Sequence, residues 1–168
     1  EMEGQLHSCT YPSDFDPYLR PIREELQLDC PCDLNDPLPY VYWENAFHPG
    51  GAQAPLKFAD LHCQEETSII ILVLGTNWCT ACTSFIERLA ERSQELTDAG
   101  AEIVFVQVED EARESCSSDE AQRHISRKIG NEVGYRVGDE DSRPGNGNYF
   151  TNAGLVDSYP TVAIIRRR

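Results

Sequence analysis

Three runs of apolar residues predict buried strands. Residues 69–74, IIILVL, are apolar at every position, which is typical of a central strand that is covered on both faces of a sheet. Residues 102–108, EIVFVQV, predict a second buried strand. Residues 161–168, TVAIIRRR, predict a third strand, which reaches the last residue of the sequence. A segment with a different, helical spacing separates each run from the next.

Two segments between these runs predict helices. The first stops at Gly100, which suits a left-handed cap, and its apolar positions recur at helical spacing, at Cys82, Phe85, Ile86, Leu89 and Leu96. The second starts with Ser117 and Glu120, the spacing of a capping box, and runs to Gly130. Strands and helices therefore alternate, which predicts an α/β fold with a central mixed, mainly parallel sheet flanked by helices and joined by right-handed crossovers.

The N-terminal part of the chain has a different character. Eight of the ten prolines lie at or before position 55, and proline removes a backbone donor and restricts the residue before it. We therefore expect residues 1–38 to form an irregular arm, with a short helical turn near 20–28, and residues 39–168 to form the domain. Within the domain, residues 40–47 and the segment after the turn HPGG predict an antiparallel pair.

Composition limits the classes of partner and the compartment. The 168 residues suit one domain, and the net charge of −15 argues against binding to nucleic acid or to anionic lipid. No apolar run is long enough to span a membrane, and residues 1–9 have no signal-peptide pattern. Seven cysteines favour an oxidising, extracytoplasmic location, and the candidates for structural disulfides are Cys9, Cys30, Cys32, Cys63 and Cys116.

The remaining two cysteines, Cys79 and Cys82, form a Cys-x-x-Cys pair directly after a buried strand. This position places Cys79 at the first turn of the following helix, where unpaired N–H groups and the helix dipole stabilise a thiolate. Cys82 lies one turn further on, on the apolar stripe. We therefore expect an exposed attacking thiol and a sheltered resolving thiol, which is the asymmetry that thiol–disulfide exchange needs.

Zinc binding and a purely structural disulfide stay open as other roles for the cysteine pair, and calcium binding is considered for a separate acidic segment. Zinc would need further ligands, from Cys30, Cys32, His62 or Cys63. A purely structural Cys79–Cys82 disulfide would close a loop too small to constrain the unfolded chain much. Oxygen ligands between residues 137 and 148 suit calcium but not in an EF-hand spacing, so a solvated acidic loop is preferred; the ligands concerned are Asp139, Glu140, Asp141, Asn146 and Asn148.

The segment ILVLGTNWCTAC resembles the signature of the thioredoxin-like superfamily, in which a strand, Trp-Cys-x-x-Cys and a helix follow one another. The segment VDSYPTVAII resembles the second hallmark of that superfamily, a proline at the start of the next strand. The resemblance covers roughly residues 55–168 and is closest to the redoxin or TlpA-like branch, whose members are extracytoplasmic and often anchored. It implies a thiol–disulfide oxidoreductase that needs no cofactor beyond its cysteines and exchanges disulfides with protein substrates and a redox partner protein. It also implies a cis Pro160, a Tyr159 that offers backbone to a bound peptide, and a Trp78 that shields the cysteine pair.

The sequence departs from this family in two respects, and a related family and a second class of function are the alternatives. The buried acid on the strand before the cysteines is replaced by Val73, and Glu109 and Asp110 are the substitutes that the sequence offers. A C-terminal edge strand and helix are missing after the third strand. A peroxiredoxin pattern is a minor alternative, because Leu72 stands where that family has proline. The second class of function is a non-enzymatic thioredoxin-like module with structural or zinc-binding cysteines.

Overall fold

A computed structural model describes residues 41–143, 145–154 and 156–166. The proposed arm, residues 1–38, and its helical turn lie outside these ranges, as do Cys9, Cys30 and Cys32.

The described residues form one six-stranded mixed sheet in the order β2-β1-β5-β4-β3-β6. Strands β3, β4 and β5 are parallel neighbours, while β1 pairs antiparallel with β2 and β5, and β6 pairs antiparallel with β3. The mixed sheet is confirmed, and its parallel part is limited to three strands. The bounds are β1 Tyr42–Phe47, β2 Gln53–Lys57, β3 Ile69–Thr76, β4 Ala101–Glu109, β5 Tyr135–Gly138 and β6 Thr161–Arg166.

Five α-helices flank this sheet within the described ranges. The capping box at α4 is confirmed: the Ser117 hydroxyl accepts from the Glu120 N–H at 3.3 Å, and the Glu120 carboxylate accepts from the Ser117 N–H at 2.9 Å. The predicted helix after position 80 is divided at Arg92 into α2 and α3. The bounds are α1 Phe58–Cys63, α2 Thr80–Glu91, α3 Ser93–Asp98, α4 Ser118–Ile129 and α5 Tyr149–Asn152.

Two apolar clusters make up the core. The larger contains Trp43, which packs edge-on against Phe58 and parallel to Phe150, with ring centroids 5.5 and 6.3 Å apart. The Trp43 indole N–H donates to the carbonyl of Gly138 at 2.9 Å, so this large side chain is buried with its polar atom satisfied. The smaller cluster includes Phe105 of β4 together with residues of α2 and α4. The sheet therefore has apolar packing on both faces, as the run at 69–74 predicts.

The expectation of a solvated loop at residues 137–148 is met by the exposed Glu140 and Asn146 but is wrong for Asp139. Strand β5 ends at Gly138, and residues Asp139–Asp141 form a 3-10 turn. The Asp139 side chain is 0% exposed. Its carboxylate accepts from the backbone N–H groups of Phe150 and Thr151, both at 3.0 Å, and from the Thr151 hydroxyl at 2.9 Å. Hydrogen-bond donors from residues 150 and 151 thus take the place of water around the carboxylate. The carboxylate holds this later segment against the end of β5.

Candidate functional site

The cysteine pair lies at the junction between β3 and α2. Strand β3 ends at Thr76, and Cys79 is the N-cap residue of α2. Cys79 and Cys82 form a disulfide with Cα atoms 5.2 Å apart, and the Cys79 sulfur accepts a hydrogen bond from the Cys82 N–H at 3.1 Å. The helix N-terminus therefore directs a backbone donor at the Cys79 sulfur, as the sequence predicts.

The two sulfur-bearing residues differ less in exposure than expected. Cys82 is 0% exposed and Cys79 only 7%, so the expectation of an exposed Cys79 is wrong for the disulfide form. The reason is that the disulfide holds the Cys79 sulfur against Cys82, which lies on the buried side of α2. The direction of the asymmetry is nevertheless the predicted one.

Trp78 connects the turn at residues 77–79, hereafter the cysteine turn, with the Tyr159–Pro160 segment. Its indole ring, 38% exposed, meets the Tyr159 ring edge-to-face with centroids 6.0 Å apart. Its indole N–H donates to the Glu109 carboxylate at 2.7 Å, and the Arg113 guanidinium carbon lies 4.4 Å from its ring centroid. The Tyr159–Pro160 peptide bond is cis. Three of the residues singled out in the sequence, Trp78, Tyr159 and Pro160, thus come together.

Glu109 and Asp110 are the acidic residues that the sequence offers in place of the buried acid near Cys82. In the structure both carboxylates accept hydrogen bonds from other groups. Glu109 accepts from Trp78, and the Asp110 carboxylate accepts from the N–H groups of Ala112 and Glu114, at 2.7 and 2.9 Å. Val73 is buried in the smaller apolar cluster, so its position supplies no acid.

A neutral amide lies beside Cys82 instead. A Cβ atom placed on Gly75 would lie 2.9 Å from the Gln107 side-chain oxygen and 3.5 Å from the Cys82 sulfur, so both groups face the same point above the glycine. The buried Gln107 amide donates to the Asn77 side-chain oxygen at 2.9 Å. Sequence reasoning missed Gln107, although it is the polar exception within the otherwise apolar residues 103–108.

Cys116 is not part of a structural disulfide, which corrects the expectation for this residue. It is a free, buried cysteine, and its sulfur lies between the Asn77 side-chain amide, which donates to it at 3.7 Å, and the Ser117 carbonyl at 3.5 Å. Burial, together with the charges of Glu120 and Asp110, raises the pKa of the Cys116 thiol to about 12. Cys116 is therefore a protonated thiol at neutral pH, linked to the cysteine turn through Asn77.

Cys63 is disulfide-bonded. The prediction that its partner lies in the N-terminal arm concerns residues outside the described ranges. Among the residues that the structure describes, no cluster of three or more His, Cys, Asp or Glu side chains could hold a metal ion. In the same ranges, no helix is long and apolar enough to cross a membrane.

Comparisons with known proteins give structural matches only. No protein-family model matches the chain, and no curated protein matches it. A thioredoxin from Wuchereria bancrofti matches with a TM-score of 0.50 and 21% identity over 73% of this chain and 75% of that one. A reduced 2-Cys peroxiredoxin from Plasmodium vivax also matches with a TM-score of 0.50, at 10% identity over 82% of this chain and 64% of that one. Likenesses at these identities show the fold, and the protein has a thioredoxin-like fold.

Proposed function

We propose that the protein is a thiol–disulfide oxidoreductase that exchanges disulfides with protein substrates through Cys79 and Cys82. The observation that carries this proposal is the disulfide at the N-terminus of α2, with the Cys82 N–H directed at the Cys79 sulfur. A backbone donor and the helix dipole at that position favour the thiolate form of Cys79 over the thiol. Cys79 is also the more accessible cysteine of the pair, which suits it to meet a substrate.

In the reducing direction the reaction starts from the dithiol. The Cys79 thiolate attacks one sulfur of the substrate disulfide, the substrate S–S bond breaks, and the displaced thiolate takes a proton from solvent. Cys82 then loses its proton and attacks the Cys79 sulfur of the mixed disulfide. This second step forms the Cys79–Cys82 bond and releases the second substrate thiol. The substrate gains two electrons, the protein loses two, and a dithiol partner protein restores the starting state.

Trp78, Tyr159 and Pro160 are proposed to bind the substrate. The Trp78 ring, 38% exposed and held by Glu109, supports a role as an apolar wall beside the cysteine pair. The backbone at Tyr159 would pair with an extended substrate segment, the mode in which main-chain hydrogen bonds supply affinity and side-chain pockets supply selectivity. The contact between the Trp78 and Tyr159 rings supports a shared surface for that segment.

An extracytoplasmic location, in a periplasm, an envelope or a secreted state, is part of the same proposal. Seven cysteines and the disulfide-bonded state of Cys63 support it, because such bonds persist in oxidising compartments. Protein thiols, protein disulfides and a redox partner protein would be the binding partners there.

Insulin reduction tests this function. We expect Cys79→Ser to lose at least about 100-fold in rate, because the fully buried Cys82 thiol cannot replace Cys79 in the first step. Cys82→Ser should accumulate a mixed disulfide with insulin that mass spectrometry detects. Cys116→Ser serves as the control and should retain the wild-type rate, since the buried Cys116 thiol takes no part. Equal rates for wild type and Cys79→Ser would contradict the proposal and favour a non-enzymatic module with a structural disulfide.

A further inference from the structure

A cavity of about 300 Å³ lies beside the proposed redox site. Trp78 and Thr80, the two neighbours of Cys79 in the chain, line one side of it. The other side comes from α4, through His124, Arg127 and Lys128. The proposed function assigns no role to this cavity, which is hereafter called the α4 cavity.

His124, which lines the α4 cavity, has a buried polar atom without a partner among the described residues. The residue is 8% exposed, and among the described residues its Nε2 atom has no hydrogen-bond partner. Leaving such a nitrogen without a partner costs about 1–3 kcal/mol. Burial and the neighbouring Lys128 charge hold the pKa of His124 below its ordinary value. A neutral imidazole can donate or accept at Nε2, depending on its tautomer.

The charge of the α4 cavity is opposite to that of the chain as a whole. His124, Arg127 and Lys128 are spaced three and four residues apart and so share one face of α4. Arg127 and Lys128 are exposed, and neither forms an ion pair within the described ranges. Glu111 is the one carboxylate among the lining residues, against two permanent cations. A local excess of positive charge therefore lies next to the cysteine turn of a chain whose net charge is −15.

We propose that the α4 cavity binds a carboxylate of the substrate, from an acidic residue a few positions away from the substrate's disulfide. Arg127 supplies the planar pair of donors that matches a carboxylate, Lys128 supplies a second positive charge, and His124 lies on the same face of α4. Binding there holds the substrate disulfide beside Cys79 and selects acidic segments over neutral ones. This inference rests on the proposed function, since it concerns the substrate of the same cysteine pair.

Two synthetic peptide disulfides test the proposal. They are identical except for Glu or Gln two residues from the cysteine, and the measured quantity is the ratio of their kcat/KM values. Wild type should prefer the Glu peptide by about 5- to 10-fold at low salt, and the preference should shrink in 0.5 M salt because exposed charges are screened. Arg127→Glu should reduce the ratio to about one or below. Arg88→Glu is the matched control, an equal charge change at an exposed position of α2 that does not line the α4 cavity, and it should keep the wild-type ratio.

The outcomes separate this inference from the proposed function. Equal rates for the two peptides in wild type would overturn the carboxylate site, while the Gln peptide alone would still report disulfide exchange. No reduction of either peptide would overturn the proposed function itself. Glutathione disulfide and its ethyl ester form a second pair of probes, which carry the same carboxylate chemistry on a small molecule. A charge preference seen with this pair but absent from the peptides would overturn the assignment to a peptide carboxylate.

Discussion

Two parts of the molecule achieve burial in different ways. The β3–β4 pair, residues 69–76 and 101–109, is buried mainly through apolar side chains, with Thr76 and Gln107 as its fully buried polar exceptions. The segment from 135 to 152, hereafter the Asp139 segment, buries an Arg, an Asp and a Ser. Burial in the first part follows mainly from the hydrophobic effect. Burial in the second depends on hydrogen-bond partners for its polar groups, and these come from residues up to 14 positions away.

The two buried charges of the Asp139 segment have separate hydrogen-bond partners, and the Arg136 Nε atom has none among the described residues. The Arg136 guanidinium donates to the carbonyls of Gly130 and Val133, at 2.7 and 2.9 Å, and to the side chains of Gln122 and Asn131. Burial lowers the pKa of Arg136 to about 10, against the raising effect of the Glu132 charge. Asp139 takes its donors from the first turn of α5. Within the described ranges Arg136 and Asp139 do not form an ion pair with each other, so each charge can be removed without unpairing the other.

Asp139→Ala should have the largest effect on stability. It leaves the N–H groups of Phe150 and Thr151 and the Thr151 hydroxyl without their acceptor, while the Ser142 hydroxyl keeps the backbone carbonyl of residue 139. We expect a loss of about 3–5 kcal/mol in the free energy of unfolding, measured by urea denaturation.

Glu140→Ala is the control for Asp139→Ala. Glu140 is the neighbouring acidic residue and its side chain is exposed, so the change should stay within about 0.5 kcal/mol. Similar losses for the two variants would show that the Asp139 segment behaves as a solvated loop.

Gly75→Ala tests the close approach in the β3–β4 pair and should have an intermediate effect. The added methyl would meet the Gln107 side-chain oxygen at 2.9 Å, which forces the amide to move. We expect a loss of about 1–3 kcal/mol, measured in the same urea assay. In the Gln107→Ala background the space is empty, so adding Gly75→Ala should cost clearly less. Additive losses in the double variant would contradict the contact between these positions.

Cys116 lies where the β3–β4 pair meets the Asp139 segment. Its titration should have the smallest effect on the free energy of unfolding. Because its folded pKa, about 12, lies above the unfolded value of about 8.5, the unfolded chain loses this proton first as the pH rises. The contribution to stability is therefore present below pH 8.5 and declines between about pH 8.5 and pH 12. We expect Cys116 to account for a loss of less than about 1 kcal/mol between pH 7 and pH 9.

The measurement for Cys116 is the difference in urea stability between wild type and Cys116→Ala at pH 7 and pH 9. Alkylation of the folded protein at pH 8 should also leave Cys116 unmodified, whereas denaturation should make it reactive. Rapid alkylation in the folded state would contradict the burial of this thiol.

The elements predictable from the sequence are those whose signal is local. Strand β3, the junction at Cys79 and the capping box at Ser117 each depend on residues close together in the chain, and each occurs where the sequence indicates. Strand β5 was not predictable, because its four residues carry Arg136 within them and lead directly into an acidic turn. Such a pattern indicates a loop unless the donors for the polar groups are known.

The sequence by itself determined that a Cys-x-x-Cys pair begins a helix after a buried strand, since apolar periodicity and helix capping act over a few residues. Only the tertiary structure decided what surrounds that pair. The register that places Gly75 opposite Gln107 brings an amide beside Cys82, and the packing of distant segments brings Tyr159 to Trp78 and α4 to the cavity. These neighbours depend on the pairing of strands and helices that are far apart in the chain, and no local pattern encodes that pairing.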